Sequence, residues 1–153
     1  FRAFCEDTLE SNGIKFGVKQ TNVSINPHLH TLRGFHFQKS PSEESKIITC
    51  VSGAIYNVSI DLRPKSSSFL NVQYCVIDSQ SAISILLPSG CANAFLTTKE
   101  NTFVYYLMGA NFSEGSYSGF RFDDPAFNVR WPSIPAVISE RDLSHPRFNK
   151  NVI

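Results

Sequence analysis

Short apolar stretches recur about every ten residues along this chain, each closed by Gly, Pro or a polar turn, the rhythm of antiparallel sandwiches and barrels. The clearest lies at 54–62. There Ala54, Tyr56, Val58, Ile60 and Leu62 share one face of a period-two pattern, with Ile55, Asn57, Ser59 and Asp61 on the other. The same pattern predicts strands over 16–20, 31–38, 46–51, 71–77, 82–87, 92–96, 103–108 and 119–122. Ser52-Gly53, Pro64 and Pro88-Ser89-Gly90 supply turns. One short helix is expected over 7–12, with Asp7 as N-cap and Gly13 just past the end. After Asp123-Asp124-Pro125, prolines 132, 135 and 146 predict a tail of coil wrapped on the barrel. The expectation is an all-β jelly roll, a single domain over 1–153 with no repeat or linker.

Composition sharpens this. The 153 residues suit one domain with a sizeable core. A formal net charge of +1 argues against non-specific nucleic-acid binding and a polybasic membrane anchor, although a few cations could still hold a small anion. Thirteen Phe and five Tyr favour pleated, half-buried surfaces, and disorder, collagen and coiled coil are excluded. Cys5, Cys50, Cys75 and Cys91 are far apart with no C-x-x-C pair, so they are expected to be buried free thiols rather than a zinc knot or a disulfide framework. No apolar run approaches the roughly 20 residues of a membrane span, and no signal peptide is evident, so a cytoplasmic protein is expected.

Of four histidines, His28 and His30 first suggest the alternating pair of metal-binding jelly rolls. No carboxylate follows, Arg33 stands where the metal would go, and Asn26-Pro27 looks like a turn. They are expected to be loop histidines, and no metal is expected. The stronger segment is Arg33-Gly34-Phe35-His36-Phe37-Gln38. In a regular strand Arg33 and Phe35 would share one face, and Gly34, His36 and Gln38 the other. By itself His36 could be a satisfied core imidazole. Lys46, however, leads the apolar strand Ile47-Ile48-Thr49, where a lysine is out of place.

Arg33-Gly34-Phe35-His36-Phe37-Gln38 followed by Lys46 resembles the R-G-x-H-[FY]-Q…K signature of the dTDP-4-dehydrorhamnose 3,5-epimerase family of cupins. The resemblance continues through Gly53-Ala54-Ile55-Tyr56-Asn57-Val58-Ser59-Ile60-Asp61-Leu62-Arg63 and Pro88-Ser89-Gly90-Cys91-Ala92-Asn93-Ala94-Phe95. Phe122-Asp123-Asp124-Pro125 and Ile138-Ser139-Glu140-Arg141-Asp142 complete it, in the family's order and spacing. It implies a cupin-type double-stranded β-helix, a homodimer, no cofactor and a nucleotide-sugar substrate. It also implies that the family's first strands are missing ahead of Phe1.

The implied reaction is epimerisation at C3 and/or C5 of a nucleotide-linked 4-keto-6-deoxyhexose. His36 matches the base, Asp142 the carboxylate behind it, Lys46 the cation facing the enolate oxygen, and Tyr106 the acid, with Tyr105 on the opposite side of its strand. Arg33, Gln20, Asn22, Gln38 and Arg141 match substrate-binding positions, and Arg2 an N-terminal arginine. Gln20 and Asn22 could equally be turn caps. Asn93 replaces a family histidine near the substrate carbonyl, Phe112 a tyrosine that stacks on the base, and Tyr117 a glutamate. These departures motivate a second reading, a binding module without turnover; a 3,4-ketoisomerase and a metal-dependent cupin are the remaining alternatives.

Overall fold

The computed structural model describes residues 2–150. Among them the chain runs α1 (Glu6–Ser11), β1 (Gln20–Asn26), β2 (Thr31–Gln38), β3 (Lys46–Ser52), β4 (Ala54–Asp61) and β5 (Val72–Asp78). It continues through β6 (Ser84–Leu87), β7 (Cys91–Thr97), β8 (Thr102–Met108), β9 (Tyr117–Gly119), β10 (Val137–Ile138) and α2 (Glu140–Ser144). One sheet has the order β1-β8-β3-β6; the other has β10-β2-β7-β4-β5, with β9 also on β2. Every pairing is antiparallel except that of β10 with β2. This is the expected jelly roll.

The two sheets face each other across Ile48, Cys50, Ile55, Ile77, Leu87, Phe95 and Val104. Two further apolar layers lie outside them. Phe16 closes over Ile47 and Leu107 with help from Phe4, Leu9 and Tyr105. Phe120 and Phe127, with Trp131 and Phe148, cover Phe35, Phe37, Val58 and Ile60. The second layer reverses the natural reading of β4. Its apolar face, with Val58 and Ile60 both at 0 % exposure, lies under the aromatic tail, while its more polar face looks between the sheets. Asn57 pairs with Phe95 and Ser59 with Asn93, so the second face of β4 sets polar residues beside β7.

Several boundaries differ from expectation. The stretch 16–20 is not a strand: Phe16 anchors the outer patch, and regular pairing begins at Gln20. The strand expected at 119–122 lies at Tyr117–Gly119, because the ring of Phe120 is drawn into the aromatic layer. Helix α1 starts at Glu6 after Cys5, which makes no side-chain cap, so Asp7 sits in the first turn rather than at the cap. Gly13 does occupy the position past the helix, with φ of 76° and its N–H on the Glu10 carbonyl. The tail is not coil throughout. It carries β10 and then α2, whose first turn is capped by the Ser139 hydroxyl accepting from the Asp142 N–H at 3.0 Å.

The turn after β4 is pinned by charge. The Asp61 carboxylate accepts from Arg63 Nε and Nη2, both at 2.8 Å, and from the Ser68 hydroxyl at 2.7 Å. The Arg63 fork holds the Asp61 carboxyl well below the usual carboxylate range. Such stabilisation is complete above the ordinary aspartate range and is lost progressively as pH falls from that range to the lower native value. Asp61→Asn should therefore cost about 1–2 kcal/mol at neutral pH, since the arginine is partly solvated. In urea unfolding the parent and variant curves should converge on acidification; a gap that persists in acid would sink this account.

Candidate active site

A hollow of about 250 Å³ opens between the sheets near β1, lined by side chains from both. From the first sheet come two aligned rungs. Gln20, Met108 and Lys46 form one, and Asn22, Tyr106 and Ile48 the other. Gln20, Asn22, Lys46 and Tyr106 all line the hollow. Strand alternation turns Tyr105 outward against the Phe16 patch, so Tyr106 is the inward tyrosine.

The second sheet supplies Arg33, His36, Asn93 and Phe95. Alternation alone would put Arg33 and His36 on opposite faces, and the structure overturns that expectation. Arg33 pairs with Phe95 and His36 with Asn93, so three steps on β2 match two on β7 and a bulge intervenes. The inserted residue allows Phe35 and Phe37 to stay in the aromatic layer while Arg33 and His36 both face the hollow. Gly34 sits in the bulge at φ 101°, and a Cβ there would strike the Asn93 carbonyl and the Ala94 backbone.

Behind β2 lies α2. Its one buried residue, Asp142, reaches the His36 ring, with Oδ1 2.6 Å from Nε2. This bond puts the neutral ring's proton on Nε2 and leaves Nδ1 as the acceptor. Burial alone would raise the Asp142 pKa. The hydrogen bond and charge of His36 outweigh it, with help from Ser139 and the Gly34 N–H, and hold the carboxyl below its usual range. The Tyr106 phenol is pushed well above the ordinary tyrosine value, chiefly by burial, against the partial pull of Arg33. It is thus a proton donor rather than a tyrosinate at neutral pH.

Lys46 does not stand alone. Its ammonium is 2.7 Å from Glu44, a residue the sequence analysis passed over. The Gln38 amide donates to the same carboxylate at 3.1 Å, and also to the carbonyls of Ser42 and Asn111, while its own oxygen accepts from the Ser113 N–H. Gln38 is therefore engaged behind Glu44, holding the charge pair and the 111–113 loop. Arg33 donates from Nε to the Asn26 amide at 3.3 Å, a neutral partner.

At the rim, Phe112 is half exposed and its N–H donates to Gln20, which in turn donates to Asn22. Arg141 is placed over the Tyr117 ring, 4.0 Å from its centroid. Burial pushes the Tyr117 phenol up to about 12, with Arg141 opposing. The Asn93 side-chain oxygen is buried without a hydrogen-bond partner among the described residues. His28 and His30 lie in the turn before β2, where the His28 carbonyl accepts from Thr31 and Thr97. Arg2 lines a separate hollow beside α1.

An imidazole held by a carboxylate, a phenol kept neutral and a lysine on facing sheets can move a proton off one face of a carbon acid and onto the other. Known proteins of this shape do related chemistry. The chain superposes on a dTDP-4-dehydrorhamnose 3,5-epimerase from Bacillus anthracis str. Ames, solved with TDP and PPi bound, with a TM-score of 0.93 and 31% identity over 96% of this chain and 84% of that one. A 3'-monoepimerase from Streptomyces bikiniensis, in complex with dTDP-quinovose, matches with a TM-score of 0.86 and 27% identity over 95% and 74%. In sequence, the dTDP-4-dehydrorhamnose 3,5-epimerase of Sinorhizobium fredii (strain NBRC 101917 / NGR234) is 31% identical over 144 residues, 94% of this chain and 74% of that protein.

Fold and site thus define a sugar-nucleotide epimerase of the cupin class. The family model for dTDP-4-dehydrorhamnose 3,5-epimerase matches residues 1–150. The chain belongs to that family.

The Lys46–Glu44 pair gives a direct structural test. Glu44→Gln leaves a buried ammonium uncompensated and should cost about 3 kcal/mol in denaturant unfolding. Adding Lys46→Met should recover part of that loss. Full additivity of the two changes would mean that the pair is not coupled.

Proposed function

We propose that this chain inverts C3, C5 or both on a dTDP-linked 4-keto-6-deoxyhexose, with His36 and Tyr106 as the proton-transferring pair. The observation that carries this reading is the His36–Asp142 bond, which leaves Nδ1 a base at a hollow also lined by a neutral phenol from the facing sheet. The C4 ketone makes the hydrogens on C3 and C5 acidic. His36 removes one of them, the C–H electrons pass to the C4 oxygen, and Lys46 stabilises the resulting enolate. The Tyr106 hydroxyl then protonates the opposite face of the same carbon. The tyrosinate regains a proton and His36 loses one to water, closing the cycle.

Substrate binding follows from the remaining groups. Arg33, with no carboxylate partner among the described residues, suits the diphosphate. Gln20, Asn22 and Asn93 offer amides to the sugar, and Phe112 with Arg141 forms a rim on which a base can stack. The nucleotide is taken as dTDP because the related structures hold TDP or a dTDP-sugar. The cytoplasm is the proposed location, because the four cysteines are free thiols, Cys50 and Cys91 buried as expected and Cys5 and Cys75 only partly so.

Asn93 favours one second reading, a binding module without turnover, because an amide cannot titrate where the family has histidine. Incubation in deuterated water with dTDP-4-keto-6-deoxyglucose, followed by NMR at C3 and C5, separates the two. Label should enter at one or both carbons and slow by about 10²-fold or more in His36→Ala and Tyr106→Phe. Tyr105→Phe should leave exchange near the parent rate. Tight binding with no exchange would select the silent module.

A second copy of this chain is the proposed partner. Edge strand β1 exposes Val23 at 55 % and Ile25 at 62 %, an apolar stripe with a strand edge unpaired among the described residues. Light scattering should give a dimer mass, and Ile25→Asp should shift it toward monomer. A monomeric parent at micromolar concentration would refute this.

A further inference from the structure

His145 takes no part in the scheme above, yet it sits against its central pair. It follows α2 as the C-terminal cap residue, three positions beyond Asp142. Its ring centroid is 5.8 Å from that of His36, and both rings pack on Tyr117. Its Nε2 is closed off from solvent and has no hydrogen-bond partner among the described residues. A buried nitrogen left unpaired is costly unless something else satisfies it. Gly119 makes room for it, since a Cβ there would collide with the His145 ring and the Phe35 carbonyl. The imidazole therefore occupies a space cleared for it, with Nε2 unpaired among the described residues.

His36, Asp142 and His145 each offer one ligand atom, and these atoms all lie within 4.8 Å of one another. Two imidazole nitrogens and one carboxylate oxygen are the donors that a borderline divalent cation prefers. They leave one position of a tetrahedron open to water, with bonds of roughly 2.0–2.2 Å. We propose that these three residues form an inhibitory Zn²⁺ site, in which the metal captures the proposed base.

The chemistry balances without any other reactant. The metal inserts between Asp142 and the His36 nitrogen nearest to it, now 2.6 Å apart, and the two must separate by somewhat less than 1 Å to become neighbouring ligands. The half-buried His36 ring has room to move. Once its Nε2 lone pair is given to the metal, the single proton of the neutral ring must reside on Nδ1. The nitrogen that faced the substrate then donates a hydrogen bond and can no longer accept a proton. His145 supplies the third ligand and gains a partner. The charge of Arg141, stacked on the same Tyr117 ring, opposes the cation, and the Asp142 carboxylate offsets it.

The inhibitory consequence rests on the proposed role of His36, whereas the metal site itself does not. The test is calorimetric titration of the whole protein with Zn²⁺ alone, beside deuterium exchange into the sugar with Zn²⁺ and after chelation by EDTA. Expected are one high-affinity site per chain, inhibition that EDTA reverses, and at least tenfold weaker binding in His145→Ala. Metal-free exchange should stay close to the parent rate in that variant. Should His145→Ala melt early, His145→Gln keeps the bulk with a poorer ligand, and His145→Cys should restore binding through its thiolate. Equal Zn²⁺ affinity in parent and His145 variants, or no binding at all, overturns the inference. Zinc binding that depends on His145 in a protein without exchange activity would leave the site standing and sink the epimerase reading.

Discussion

The arrangement hangs on one carboxylate. Asp142 is the only buried residue of α2, and it bonds the His36 ring while lying 3.5 Å from the Gly34 N–H inside the bulge. It orients the imidazole and ties the C-terminal segment to the strand that carries it. The aromatic layer of Phe120, Phe127, Trp131 and Phe148 is what keeps that segment on the sheet. Packing outside the sheets therefore sets geometry between them, through a single hydrogen-bonded pair.

Charge in the hollow is balanced more locally than the overall composition suggests. Lys46 is matched by Glu44, and Asp142 faces an imidazole, which leaves Arg33 as the lining cation that, among the described residues, is paired only with an amide. An anionic ligand meets one committed positive group rather than a basic surface. Tyr106, kept neutral by burial beside that arginine, holds its proton without needing a hydrogen-bonding carboxylate.

Much of the fold was legible because β4 alternates apolar and polar residues, and β3 and β8 read as short apolar runs closed by turns. The pattern misled where side chains serve a layer rather than a ladder. Phe16 and Phe120 are apolar because they seal outer faces, and strands were expected around both. The bulge could not be read from residue types, since only Gly34 marks it and a glycine in a strand has several meanings. Glu44 could have been found: alternate residues Glu44 and Lys46 at a strand's start fall on one side. So could α2, because Ser139 with an acid three residues on is a capping pattern. His145 carried no local signal, as its neighbours come from β2 and β9.

The His36–Asp142 contact spans 106 positions of sequence. At ordinary translation rates, roughly 5 to 20 s separate the emergence of the imidazole from that of its carboxylate. For that interval the nascent barrel can pair most of its strands while the ring stays unoriented and the aromatic face of the second sheet lies bare. Completion of the site thus follows synthesis of the barrel strands, and the same following segment covers the surface most prone to stick to other chains.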